Sequence, residues 1–428
     1  MLMSVFVVGL NHRSAPLALL ERVGVPEVRL EKALAELRGL EHVQEAVVVS
    51  TCNRVEIYAF AATFHGAYEN VREFLAEFSY MPLGEFSQQL YSLFGADASA
   101  HLFRVVSGLD SAVLGESEIQ GQVKRAWEVA QREGTAGPGL NRLFRHALQT
   151  GKRVRSNTSV GSSKISSVCE AAVGLLQQEL SDLSGRRALL LGTGEVGQAG
   201  ARILSGMDLA EVCVASRTWQ RASHLAAEVS GRAVHLDELG DELAAVDFLF
   251  CATGAPSLML EHSEIAEVME RRKDRLVVLD LAVPRDVDPT ISGIDGVTLF
   301  DITDVQSYVA KASEATESEG SLEEMHRAQA IINEEVQIYL ASDSAEAIAP
   351  LIVDFRRSIC DISQSEFDKF ESQLASLSPD QMESVEALVH SIVNKVLHTP
   401  TTRIRESVDS PDSETLGEAL RDLFDLRS

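Results

Sequence analysis

Residues 188–197 read ALLLGTGEVG: four apolar residues, then glycines at 192, 194 and 197. A short apolar run leading into Gly-x-Gly-x-x-Gly, with a helical pattern after it, is the strand–turn–helix that opens a dinucleotide-binding domain. Gly192 permits the tight turn. Gly194 lets the backbone approach a pyrophosphate. Gly197 lets helix and strand pack closely, and the helix N-terminus favours the anion. Thr193, Glu195 and Val196 complete the loop as cofactor contacts. Outward from it, EVCVAS (211–216), DFLFCAT (247–253) and RLVVLDLA (275–282) repeat the strand pattern between helical stretches. That alternation predicts a parallel sheet with right-handed crossovers. The second strand ends Ser216-Arg217-Thr218, with no carboxylate for a ribose 2′-hydroxyl. A guanidinium and two hydroxyls there suit a 2′-phosphate, so NADPH is expected rather than NADH.

On the N-terminal side, SVFVVGL (4–10), AVVV (46–49) and VEIYAF (55–60) read as strands, and EVRLEKALAELR (27–38) has helical spacing. Val55, Ile57 and Ala59 alternate onto one face. From 68 to 178 the pattern is mostly helical. Beyond 305 the chain reads all-helical: Leu322, Met325, Ala328, Ile332, Val336 and Tyr339 share a face, Ile352, Phe355 and Ile359 another after Pro350. A third stripe, Met382 to Val396, follows Ser378-Pro379, a natural N-cap and N1 pair. These stripes exceed what one isolated helix needs, so a homodimer through the tail is expected. The fold class is multidomain α/β. An N-terminal α+β catalytic and substrate-recognition domain spans 1–160, a Rossmann-like, doubly wound NADP-binding domain 161–308, and an all-helical dimerisation domain 309–428.

The chain has 428 residues and a formal net charge of −26, which disfavours a general nucleic-acid coat protein. The tail is acidic on balance, 24 Asp+Glu against 10 Lys+Arg over 311–428, so any RNA contact is sought elsewhere. The stretch RLFRHALQTGKRVR (142–155) holds Arg142, Arg145, Lys152, Arg153 and Arg155 and no acid; with Lys124 and Arg125 nearby it is the candidate phosphate-contact surface, or else a solvated helix face. No secretory pattern, no apolar run long enough for a membrane span and no metal-ligand spacing occur. Five widely spaced cysteines without CxxC point to a reducing, cytoplasmic setting.

Four of those cysteines, Cys169, Cys213, Cys251 and Cys360, lie in apolar or helical contexts and read as core filler. Cys52 sits in the polar loop Ser50-Thr51-Cys52-Asn53-Arg54 between two strands, with Arg54 placed to lower its thiol pKa. An idle loop cysteine is the alternative. A thiolate beside a nicotinamide site has a specific meaning: a thioester is electrophilic enough to take hydride and release an aldehyde, whereas a carboxylate is not.

GLNHRSAP (9–16), VVVSTCNRVEIY (47–58), HLFRVVSGLDSAVLGESEIQGQVKRAW (101–127), GTGEVG (192–197), ASRT (215–218) and VVLDLAVPRDVDP (277–289) together resemble the glutamyl-tRNA reductase family, over the whole chain. The resemblance implies NADPH-dependent reduction of glutamyl-tRNA to glutamate-1-semialdehyde through a cysteine thioester, the first committed step of five-carbon tetrapyrrole (porphyrin) synthesis. It implies Cys52 as nucleophile and His101 as the activity-linked histidine. It implies Thr51, Asn53, Arg54, Ser111, Glu116, Ser117, Glu118 and Gln122 as glutamate-recognition residues. The family commonly carries Pro-Gln where Ser117-Glu118 stand. Arg54 is expected to grip the free γ-carboxylate bidentately or to tune Cys52. Glutamate-1-semialdehyde aminotransferase is an implied downstream partner. Two rivals remain at this stage: a small-molecule oxidoreductase of the shikimate dehydrogenase type, which needs neither cysteine nor RNA, and a non-enzymatic NADP-sensing scaffold.

Overall fold

The computed structural model describes residues 4–61, 63–116, 118–160, 167–316, 319–374, 377–406 and 413–426. They fall into two compact units, residues 3–333 and 334–428.

The first unit holds two sheets. Strands β1 (Ser4–Asn11), β2 (Glu45–Ser50), β3 (Arg54–Ala61) and β4 (Tyr91–Phe94) form an antiparallel sheet in the order β2-β3-β1-β4. The register pairs Ser50 with Val55 and Asn11 with Arg54. It therefore sets the Thr51–Asn53 turn at the sheet end, beside the loop that follows β1. Alternation along β3 puts Val55, Ile57 and Ala59 on one face, as expected. The opposite face, Arg54, Glu56 and Tyr58, is buried as well. There Tyr58 meets Phe144 of the helix Pro138–Asn157 edge to face, with ring centroids 5.5 Å apart. β4 was not foreseen: its four residues alternate between half-buried and exposed, too short for a period-2 signal.

The second sheet is parallel. Strands β5 (Arg187–Leu191), β6 (Glu211–Ala215), β7 (Arg232–Val234), β8 (Phe248–Cys251), β9 (Leu276–Asp280) and β10 (Val297–Asp301) run in the order β7-β6-β5-β8-β9-β10. This is the doubly wound 3-2-1-4-5-6 arrangement, with its switch point between β5 and β8. The four strands read from sequence are the buried inner ones. The two missed, β7 and β10, are edge strands with weaker burial. One apolar layer contains Ala188 and Leu190, the other Leu189 and Leu191. The first layer also takes in Leu17 and Val113 from outside the nucleotide fold, and Cys52 packs against it. That layer thus ties the nucleotide sheet to the helix Leu17–Val23 and to the Cys52 turn.

The tail is helical: Glu319–Leu374, Pro379–Glu406 and Ser413–Leu423. Pro350, taken above as the point where a new stripe begins, lies inside the first of these helices. Pro379 does open the second, with Ser378 Oγ accepting from Gln381 N at 3.4 Å. Within 334–428, Leu351, Ile352, Phe355, Leu397, Ile404 and Leu420 make a core. Leu388, Ile392 and Val396 stay 54–60% exposed at i, i+4, i+8 spacing. Among the described residues, no helix is long and apolar enough to cross a membrane.

Candidate active site

The phosphate loop behaves as its glycines require. Gly192 has φ +117°, and a Cβ there would collide with the Ala252 carbonyl after β8. A Cβ on Gly197 would collide with the Gly192 carbonyl. Gly194 instead faces open space, with Ala252 O 4.0 Å from an ideal Cβ, which leaves a cradle beside the N-terminus of the helix Glu195–Ser205. Thr193 Oγ1 and Ser216 Oγ lie 3.1 Å apart, tying the ends of β5 and β6 together. Gly192, Thr193, Gly194, Ser216, Arg217 and Thr218 all line one cleft of about 510 Å³. Arg221, in the first turn of the helix Trp219–Glu228, lines it too. Sequence reasoning missed Arg221; its place in the first turn of the helix that follows β6 was the available signal. A cradle open at Gly194 with two guanidiniums and no carboxylate at the end of β6 fits a dinucleotide carrying an extra phosphate.

The other wall of that cleft is Leu20, Glu21, Gly24–Val28 and Ser50-Thr51-Cys52. Cys52 therefore faces the nucleotide cleft, and behind it opens a second pocket of about 160 Å³. Thr51, Cys52, Asn53, Arg54, Ser111, Glu116, Glu118 and Gln122 all line this pocket, gathered from the β2–β3 turn and from residues 111–122. Of the expected recognition residues, Ser117 lies outside the described residues. The turn is held by Thr51 N to Arg54 O (2.8 Å), Asn53 N to Thr51 Oγ1 (3.2 Å) and His12 N to Asn53 O (2.9 Å).

Behind the turn lies a saturated ion network. Arg54 Nη1 donates to Glu56 Oε1 (2.7 Å) and Asp110 Oδ2 (3.0 Å), and Nη2 to the Asp110 carbonyl (2.6 Å). Glu56 also accepts from Tyr58 (2.6 Å) and Tyr91 (2.5 Å) and sits 2.8 Å from His101 Nε2. Arg13 closes on Asp110 at 2.9 Å. Arg54, Glu56, His101 and Asp110 are all buried. Burial alone would raise the Glu56 pKa, but Arg54, His101 and Tyr58 outweigh it and hold the carboxyl below the usual range. Glu56, His101 and Asp110 converge closely enough to consider a metal. Arg54 and the tyrosines already take their lone pairs, so the cluster is an ion pair network.

Three expectations change here. Both Nη groups of Arg54 are engaged, so it offers the pocket no bidentate fork; only Nε lacks a partner. Arg54 does not dominate Cys52 either. Burial pushes the thiol up to about 12, Glu116 and Glu118 add to that, and Arg54 opposes them weakly. His101 does not line the pocket, because the helix Ala96–Val106 turns it inward onto Glu56.

Glu116 is itself lifted to about 7, chiefly by burial and also by Glu118. Glu118 is raised by burial and by the fields of Glu195 and Glu170. Arg125, grouped above with the RNA surface, is instead clamped to Glu195 of the phosphate loop by two 2.6 Å hydrogen bonds. Lys124 faces Glu128 at 3.4 Å. On the basic helix, Arg145 and Lys152 are exposed, whereas Arg142, Arg153 and Arg155 are half-buried. Asp280 accepts three backbone N–H groups, from Ala282, Asp286 and Val287, as sheet-end loop structure should.

Comparison with known proteins agrees along the whole chain. Residues 8–158 match the profile of the glutamyl-tRNA reductase N-terminal domain, 174–308 that of shikimate/quinate 5-dehydrogenase, and 327–426 that of the glutamyl-tRNA reductase dimerisation domain. Glutamyl-tRNA reductase of Geobacter sulfurreducens is 36% identical over 427 residues, covering 100% of this chain and 97% of that one. The Thermodesulfovibrio yellowstonii protein of the same name is 36% identical over 434 residues, covering 100% and 99%. The solved glutamyl-tRNA reductase of Methanopyrus kandleri is 29% identical, covers 99% of each chain and superposes with a TM-score of 0.51. With a Rossmann-like sheet, a helical tail and this coverage, the chain belongs to the glutamyl-tRNA reductase family.

Proposed function

We propose that this protein reduces glutamyl-tRNA to glutamate-1-semialdehyde with NADPH, through a thioester on Cys52. The observation that carries the reading is the position of Cys52 on the wall shared by the nucleotide cleft and the small acid-lined pocket. A glutamyl group in the pocket presents its ester carbonyl to Sγ. As the thiol attacks, its proton passes to Glu116, whose carboxyl titrates near neutrality in the same pocket. The carbon–oxygen bond to the terminal ribose breaks and tRNA leaves with a proton. Gly194, Thr193, Ser216, Arg217, Thr218 and Arg221 would hold NADPH, which when bound supplies a hydride to the acyl carbon. The carbon–sulfur bond then breaks and the aldehyde departs; the first proton has left with the tRNA by way of Glu116, so the Cys52 thiolate is reprotonated from water.

Around this chemistry, Arg54 contributes positive field toward the γ-carboxylate. His101 acts through Glu56 by fixing Arg54. The exposed Leu388–Ile392–Val396 stripe suits a homodimer contact, and Arg145 and Lys152 suit tRNA phosphates. The product's reactivity favours hand-over to an aminotransferase, and the reading fits a cytoplasmic enzyme. NADPH oxidation should require glutamyl-tRNA and fail with uncharged tRNA or free glutamate. Oxidation with free glutamate or shikimate-like acids would return the chain to the small-molecule class.

A further inference from the structure

The hydrogen bonds of the Cys52 turn include one from far along the chain: Gln306 Nε2 donates to Asn53 Oδ1 at 2.9 Å, across 253 positions of sequence. Gln306 belongs to the helix Ile302–Thr316, which follows the last strand of the nucleotide sheet. One turn earlier, Ile302 is buried and lines the same small pocket as Cys52. The helix is seated firmly. Ile302, Val305 and Val309 join the shared apolar layer, and the Tyr308 side chain packs directly over Gly174. The donor is thus delivered from a rigid element to the residue next to the nucleophile.

An asparagine amide has two faces, an acceptor oxygen and a donor nitrogen. The Asn53 main chain is already spoken for, with N on Thr51 Oγ1 and O receiving His12 N. Its side chain alone has freedom, and the bond from Gln306 decides which way it points. With Oδ1 held, Nδ2 is the group Asn53 can offer to the pocket, where the reaction needs donors: the ester oxygen gains negative charge on attack, and the substrate carries a free carboxylate. When ionised, Glu116 and Glu118 in the same pocket can only accept. We propose that Gln306 is a positioning residue for this reaction: it fixes the Asn53 amide as a donor and holds the Cys52 turn in place from outside the catalytic sheet.

The inference rests on the glutamyl-tRNA reading, and its test separates the two. Gln306→Leu should lower kcat/KM for glutamyl-tRNA at least tenfold and change the rate of Cys52 alkylation by iodoacetamide at least threefold. Ser307→Ala, on the same helix and with its hydroxyl donating to the Thr303 carbonyl one turn back, should change neither. Gln306→Glu is the discriminating variant. Ionised, it confronts Asn53 Oδ1 with an acceptor and turns the amide over; protonated, it donates as Gln306 does. Its kcat/KM relative to the unmodified protein, measured at each pH, should therefore recover as pH falls from 8 to 5.5. Cys52, Glu116, Glu118 and Arg54 around the pocket and Asp301 and Asp304 on the helix side are common to both proteins, so the ratio removes their titration. Unchanged alkylation in Gln306→Leu, or a Gln306→Glu ratio flat with pH, overturns the proposal. An unmodified protein inert toward glutamyl-tRNA overturns the functional reading instead, while alkylation still decides the role of Gln306.

Discussion

Two polar clusters lie on either side of the β2–β3 turn, and they are built on opposite rules. Behind it, Arg54, Glu56, Asp110, Arg13, Tyr58, Tyr91 and His101 pair every charge with a partner at 2.5–3.0 Å. In front of it, Cys52, Glu116 and Glu118 are groups of one sign in a half-dry pocket, each pushed toward its neutral form. The first arrangement suppresses titration and holds geometry. The second holds a carboxyl, Glu116, that changes protonation near neutrality, which proton transfer requires and stability does not. In the family reading the paired cluster aims the turn and the unpaired one does the chemistry.

Breaking the paired cluster should cost most. Glu56→Ala strands Arg54 against a single carboxylate and orphans three donors, so we expect a loss of about 3–5 kcal/mol in chemical denaturation at pH 7. Because the Glu56 pKa is held below its free value of 4.5, its contribution is present above that pH and lost below it. The deficit of the variant should shrink as pH drops under 4.5. A loss below 1 kcal/mol would mean that the network is not a structural clamp.

Cofactor choice tests a third kind of charge, waiting for a ligand. Arg217→Ala should narrow the kcat/KM preference for NADPH over NADH by about 1.5–3 kcal/mol, roughly 10- to 100-fold. Arg221 shares the cleft, so a residual preference should remain and vanish in the double variant. Equal use of both cofactors by the unmodified protein would remove the 2′-phosphate reading altogether.

The smallest expected effect is a gain. The Glu116 pKa is raised in the folded state to about 7, so ionising it opposes folding above pH 4.5 and most fully above 7. Glu116→Gln should raise Tm by a few degrees at pH 8 and leave it unchanged at pH 4.5. It should also speed alkylation of Cys52, whose thiol loses a negative neighbour, while slowing aldehyde formation. A Tm shift of equal size at both pH values would show that Glu116 is not a strained carboxylate.

What could be read in advance follows from how locally each feature is encoded. The phosphate loop was legible because Gly192 and Gly197 answer steric demands within one strand–turn–helix. The inner strands were legible because full burial leaves unbroken apolar runs, as in ALLL. The edge strands β7 and β10 lack that mark. The pocket residues came from matching motifs, and the fold does bring them together. Their electrostatics could not be read that way: Arg54 looked like an activating cation two residues from Cys52, but β3 alternation turns it onto the other face, toward Glu56 and Asp110. Arg125 looked like an RNA contact until packing set it on Glu195. Gln306 carried no signal at all, since a bond across 253 positions exists only in the folded chain.

The central claim is that Cys52 is acylated before any hydride moves, and it can be tested with NADPH absent. The protein should release tRNA from radiolabelled glutamyl-tRNA and retain glutamate in a bond cleaved by hydroxylamine. The label should be lost in Cys52→Ser and kept in Cys169→Ser, a buried thiol in the shared apolar layer. Absence of label in the unmodified protein, together with aldehyde formation by Cys52→Ser once NADPH is added, would contradict the account.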